Sequence, residues 1–169
     1  QHERYSGWDW GWNLAQIGAD LVKTEQQRQQ LYDALEKMAA ARQGDGETSQ
    51  WLSEFDYERA ETIKLSMIDR LDDEETRLAF LIERVDLEPF REQLVRYHID
   101  HGNLEAARHL CNERLSAQDS RHRGYRNIFH ALLLEIAQAE KNQDEIPHLA
   151  ETVFLDLCYF VNFSVHKQT

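Results

Sequence analysis

Two cysteines, two prolines and seven glycines in 169 residues leave little material for several fold classes. Cys111 and Cys158 are far apart and show no paired spacing, so neither a disulfide framework nor a thiolate zinc site can be read from them. A reduced, cytoplasmic protein is the expected setting. Scarce proline and glycine, against plentiful Leu, Ala, Glu, Gln and Arg, favour an all-α fold. No run of alternating apolar and polar residues bounded by turn residues marks a strand. The last apolar run, residues 153–161, is interrupted by Asp156 and too short to cross a bilayer. Position 1 is Gln and the residues after it are polar and aromatic, so no signal peptide is readable. The chain is expected to be a piece of a longer protein. Basic residues are also few: 19 Lys and Arg face 31 Asp and Glu, a net charge of −12, which weighs against nucleic acid or anionic membrane as partner. There is no Ser-His-Asp signal, no glycine-rich phosphate loop and no His-Glu-x-x-His. Acid clusters such as Asp72-Asp73-Glu74-Glu75 sit where helix starts favour negative charge, without the burial a catalytic pair needs. The chain therefore reads as a non-enzyme that needs no cofactor.

What is present is helical periodicity. The clearest unit covers residues 90–115. Phe90, Leu94 and Tyr97 form one stripe, widened by Val95 and Ile99, and Leu104, Ala107, Cys111 and Leu115 form a second. Pro89 suits a first helical turn. Gly102 can take the left-handed conformation that stops a helix, and Asn103 can cap the next one. Such a short turn makes the two helices antiparallel.

Upstream, Trp10, Leu14, Ile17 and Leu21 make one stripe of a first helix, and Trp8, Trp12, Ala15 and Ala19 make another. A helix apolar on two faces is expected to lie between neighbours. Thr24 and Gln27 have capping-box spacing, leading into Leu31, Leu35 and Met38. Residues 43–50 read as a mobile loop. Asp56 is a candidate cap for a helix with core positions Ala60, Ile63, Met67 and Leu71, and Leu78, Leu81, Ile82 and Val85 mark a fourth helix. Tyr125, Phe129, Leu132, Leu133 and Ile136 mark a seventh, and a turn near Lys141 leads to an eighth. Asp72, Gly102 and Lys141 each precede an apolar position by eight residues, at Phe80, Leu110 and Leu149, but the steps between them are unequal. These are irregular hairpins, and the expectation is one all-α helical-repeat domain over 1–169, a short α-solenoid, with a compact eight-helix bundle as the alternative.

The unit His101-Gly102-Asn103-Leu104-Glu105-Ala106-Ala107-Arg108 resembles a tetratricopeptide-type repeat. More narrowly, residues 73–81, the central hairpin, and residues 132–137 leading to 148–151 resemble the helical tail that follows the zinc motif in bacterial SWIM zinc-finger proteins. That resemblance spans about 55 to 160 and rests on helix-packing patterns. It implies stacked helical hairpins in a longer bacterial protein. The family's Cys-x-Cys and Cys-x-His pairs are absent, so zinc and nucleic-acid binding are not implied for this chain.

The function this supports is a non-enzymatic protein-protein interaction or scaffold module. Two places are candidate partner-binding sites: the aromatic start at Trp8 and Trp12, and the one basic cluster, where Arg121, Arg123 and Arg126 can grip a phosphate or acidic peptide beside the stacking face of Tyr125. An alternative is a structural or dimerisation domain using the apolar C-terminal helix, whose other reading is core within the chain. A further alternative is a metal-binding or enzymatic domain using His98, His101 and His109, since His at i and i+3 share a helix face.

Overall fold

The computed structural model describes residues 10–40, 47–117 and 123–165, and the described residues are all-helical. Eight helices are described: α1 (Trp10–Leu21), α2 (Glu25–Ala40), α3 (Glu47–Leu71), α4 (Glu74–Glu83), α5 (Glu88–Asp100), α6 (Leu104–Ser116), α7 (Arg123–Ala139) and α8 (Ile146–Val165). No helix among the described residues is long and apolar enough to cross a membrane. The chain divides into two compact units, residues 1–80 and 81–169, with the division falling inside α4.

In the first unit α1, α2 and α3 pack on one another. The turn between α1 and α2 is built by the capping box: the Gln27 amide donates to Thr24 Oγ1 (3.3 Å), while Gln27 Oε1 accepts from the amides of Lys23 (2.9 Å) and Thr24 (3.2 Å). Trp12, Ala15, Ala19 and Val22 meet Leu35, Ala60, Ile63 and Met67 in the core. Arg70 donates to the carbonyls of Ala19 and Val22, tying the end of α1 to α3, and the Arg28 guanidinium grips both oxygens of Asp72 (2.8 and 3.1 Å) to tie α2 to the end of α3. Three expectations are corrected here. Residues 47–50 are helix, so within the loop expected at 43–50 only 43–46 are left, and these lie outside the described residues. Asp56 lies inside α3 and is buried, because that helix begins well before it. Leu71, at the end of α3, is 37% exposed.

At the start of α4, Asp73 Oδ1 accepts from the Thr76 amide (2.8 Å), and this bond holds the Asp73 carboxyl below its ordinary pKa. Leu81 is buried, whereas Ile82, expected on the core face, is exposed.

In the second unit α5 and α6 form the expected antiparallel hairpin: Glu88, at the start of α5, pairs with Arg114, near the end of α6, and Arg91 pairs with Glu113 (3.1 Å). Arg108, early in α6, grips Glu140 (2.6 Å) at the end of α7 and Glu145 (2.7 Å) before α8. Val95, Ala107, Cys111, Phe129, Leu132, Leu133, Ile136, Ala137 and Leu149 form the core, and burial pushes the Cys111 thiol up to about 12, so it is an inert packing group. α5 packs on α7 as well as on α6, and α7 packs on both α6 and α8.

Two turns of this unit share one backbone solution. After α5, Gly102 has φ 72° and the Asn103 amide reaches back to His98 O (2.8 Å). After α7, Lys141 has φ 58° and the Asn142 amide reaches back to Ala137 O (2.9 Å). Both are the six-to-one bond of a helix stop built on a left-handed residue. Asn103 takes the cap position of α6, but its side chain makes no capping bond; its amide nitrogen lies 3.5 Å from His98 Nδ1 instead. The left-handed conformation strains any residue with a Cβ, and Gly102 has open space where a Cβ would stand. Gly102→Ala is therefore expected to destabilise the second unit by about 1 kcal/mol, and Lys141→Gly to stabilise it by about 0.5–1 kcal/mol, both read from urea unfolding.

Candidate protein interface

Helix α1 carries two apolar stripes, and the fold treats them oppositely. Trp12, Ala15, Ala19 and Val22 are buried at 7% exposure or less. Trp10, Leu14, Ile17 and Leu21 are 57%, 64%, 55% and 66% exposed. Three of the four buried residues are small or medium-sized, which lets α1 lie close to its neighbours; Gly11, where a Cβ would stand 3.4 Å from Met38, and Gly18, where it would stand 3.8 Å from Leu31, serve the same close approach to α2. On the α3 side, Gln16 Nε2 donates to Ser66 Oγ (3.3 Å). With those sides committed, the larger aliphatic side chains of α1 face solvent. The expected sandwich between neighbours is thus corrected: one stripe is core and the other is open.

The open stripe offers on the order of 500 Å² of apolar surface, the size of the largest patch on a typical monomer, and such patches mark interaction sites. The helix that carries it is nearly uncharged. Asp20 is the one charged residue of α1, in a chain where 30% of residues are charged.

The expected site residues fall in different places. Trp12 is 5% exposed, with the Arg59 guanidinium 5.5 Å from its ring centroid, so it is a core residue rather than the wall of an open groove. Trp8, Arg121 and the Arg123 side chain lie outside the described residues. Tyr125 is half-buried against the core of the second unit, and Arg126 Nη1 donates to Leu115 O (3.4 Å) at the end of α6. Tyr125 is thus partly used in packing, while Arg126 remains exposed. His98, His101 and His109 do not make a ligand set, and no group of three His, Cys, Asp or Glu side chains placed to hold a metal exists among the described residues. His101 stacks on Tyr97 (centroids 4.1 Å apart) with Nδ1 2.8 Å from Tyr97 O, closing the last turn of α5. Burial and the neighbouring His101 charge together pull the His98 pKa down.

Helix α8 is core on one side and open on another. Leu149 is buried, and His130 Nδ1 lies 2.7 Å from Asp156 Oδ2 across α7 and α8. Phe154 and Leu155 are 64% and 58% exposed, which limits the expectation that the apolar run from 153 is core within the chain. A depression on α2, lined by Asp33, Glu36, Lys37 and Ala40, is shallow and open and does not enclose a ligand.

The periodicity that gives the α1 stripe was visible in the sequence; its exposure was not, because it depends on which side α2 and α3 take. Comparison of the chain with protein-family models, with curated proteins and with solved structures returns no match.

Proposed function

We propose that this chain is a non-enzymatic protein-interaction module whose docking surface is the outer face of α1. The observation that carries the reading is the solvent exposure of Trp10, Leu14, Ile17 and Leu21 on a helix already fixed by its inner face. An amphipathic helix of a partner fits such a face, with anchors at the spacing that a helix groove reads. The second unit is a scaffold of stacked antiparallel hairpins of tetratricopeptide-like type. Contacts of α5 with both α6 and α7, and the repeated stop at Gly102 and Lys141, support that arrangement, as does the likeness to the helical tail of SWIM zinc-finger proteins. Free Cys111 and Cys158 suit a reducing cytoplasm.

The test is affinity capture from bacterial lysate with the wild-type chain and a Leu14→Glu/Ile17→Glu variant as parallel baits. Proteins retained by the wild type and lost with the variant locate the surface. Identical sets of retained proteins, together with self-association of the chain that the variant leaves unchanged, overturn it. A second reading, a dimerising domain that uses the C-terminal helix, is favoured by the exposed Phe154 and Leu155, and Phe154→Ser/Leu155→Ser is its disabling variant.

A further inference from the structure

We infer that the occupant of the α1 face is a second copy of this chain, α1 lying antiparallel against α1 of that copy. This rests on the reading of α1 as a docking face and names its partner. Trp10, Leu14, Ile17 and Leu21 are spaced four, three and four residues apart, which is the d, a, d, a sequence of a two-heptad seam. Such a seam fits a helix that carries the same spacing, and α1 itself carries it. In an antiparallel pair Trp10 meets Leu21 of the second copy and Leu14 meets Ile17 of the second copy. One twofold axis then satisfies all four positions on both sides, the isologous geometry of most homodimers.

Charge selects both the face and the direction. With a net charge of −12, two copies repel over most of their surface. On α1 the sole charge is Asp20, and Asn13, which flanks the seam, is neutral. Side by side in parallel, the two Asp20 carboxylates would lie on opposite flanks of the seam and gain no partner from the other α1. Antiparallel, each lies beside the first turn of the other α1, where free backbone amides and the positive end of the helix dipole favour a carboxylate, and close to Asn13 of the second copy.

Area reaches the lower bound. Fully buried, the four side chains of each copy together remove about 1,000 Å² in the pair, the minimum for a specific interface. Because α2 and α3 already hold α1 in place, no helix has to be ordered on association, so little conformational entropy opposes it.

The experiment is sedimentation velocity of the full chain from roughly 1 to 100 µM, alongside Leu14→Glu/Ile17→Glu and Phe154→Ser/Leu155→Ser. The expected result is a species of twice the 20.0 kDa chain mass for the wild type and the Phe154/Leu155 variant. The Leu14/Ile17 variant is expected to weaken the dimer by on the order of 100-fold or more, with its far-ultraviolet dichroism unchanged. Direction is read by disulfide trapping in a Cys158→Ser background: Leu14→Cys chains mixed with Ile17→Cys chains should cross-link, and Leu14→Cys chains alone should not.

A wild type that stays at the mass of one chain overturns the inference. So does a dimer that survives the Leu14/Ile17 variant and is lost with the Phe154/Leu155 variant. Cross-linking of Leu14→Cys chains alone overturns the antiparallel arrangement. The docking reading fails separately, when lysate capture is also indifferent to Leu14→Glu/Ile17→Glu.

Discussion

Truncating Trp12 to alanine is expected to cost the first unit about 3–5 kcal/mol, whereas Leu14→Glu two positions along the same helix should change its stability by less than about 0.5 kcal/mol. Trp12 is 5% exposed in a core it shares with Leu35, Ala60, Ile63 and Met67, so removing the indole opens a cavity on the rigid side of α1 and withdraws the face on which Arg59 rests. Leu14 is 64% exposed, and a carboxylate there remains in water. By side-chain type alone both substitutions look severe. Urea unfolding of the two variants at concentrations where the chain is a single copy, so that no association adds to the apparent stability, followed by amide exchange in α2 and α3, checks the contrast. Equal losses would mean that Leu14 is covered within the chain and that α1 has no open face.

The same pair of residues marks how far the sequence could be read. Periodicity alone separated the Trp12 and Leu14 stripes, since both obey the helical repeat. Which of them is core depends on contacts from α2 and α3, Met38 beside Gly11, Leu31 beside Gly18 and Arg70 on the last carbonyls of α1, and these come from positions remote in sequence. The larger aliphatic residues lie outside and alanines inside, which reverses the usual hydrophobicity argument. Local rules did better. Thr24 and Gln27 form the capping box that their spacing announces, and Gly102 takes the left-handed turn that ends α5. They failed where a local motif had a tertiary competitor. Asp56 has the chemistry of a cap, yet α3 passes through it, and Asn103 holds a cap position without using its side chain. A turn near Lys141 was expected, but nothing local announced a left-handed lysine. Of the basic cluster, Arg126 is exposed and donates one bond to the Leu115 carbonyl at the end of α6, a contact that no local pattern announced.

Glu88→Ala is expected to destabilise the second unit by about 3–5 kcal/mol, the loss seen when one partner of a buried ion pair is removed. The Glu88 and Arg114 side chains are 6% and 8% exposed, and their hydrogen bond spans α5 and α6 at the end of the hairpin away from its turn. Without the carboxylate, the Arg114 guanidinium remains in a site that water barely reaches. The neighbouring Arg91, which pairs with Glu113 and with the exposed Asp86 (4.0 Å) and donates to the Leu110 carbonyl (3.5 Å), adds positive charge to the same end. The sign changes when both members are replaced. Glu88→Met/Arg114→Leu keeps the volume and removes both desolvation costs, so it should recover most of the loss and can exceed the wild type. Urea midpoints of the three proteins, with amide exchange across α5 and α6, decide the matter. A double variant as unstable as Glu88→Ala would mean that the pair contributes net stability to the hairpin. Recovery with broadened exchange across α5 and α6 would mean that its contribution is to fix the register of the two helices.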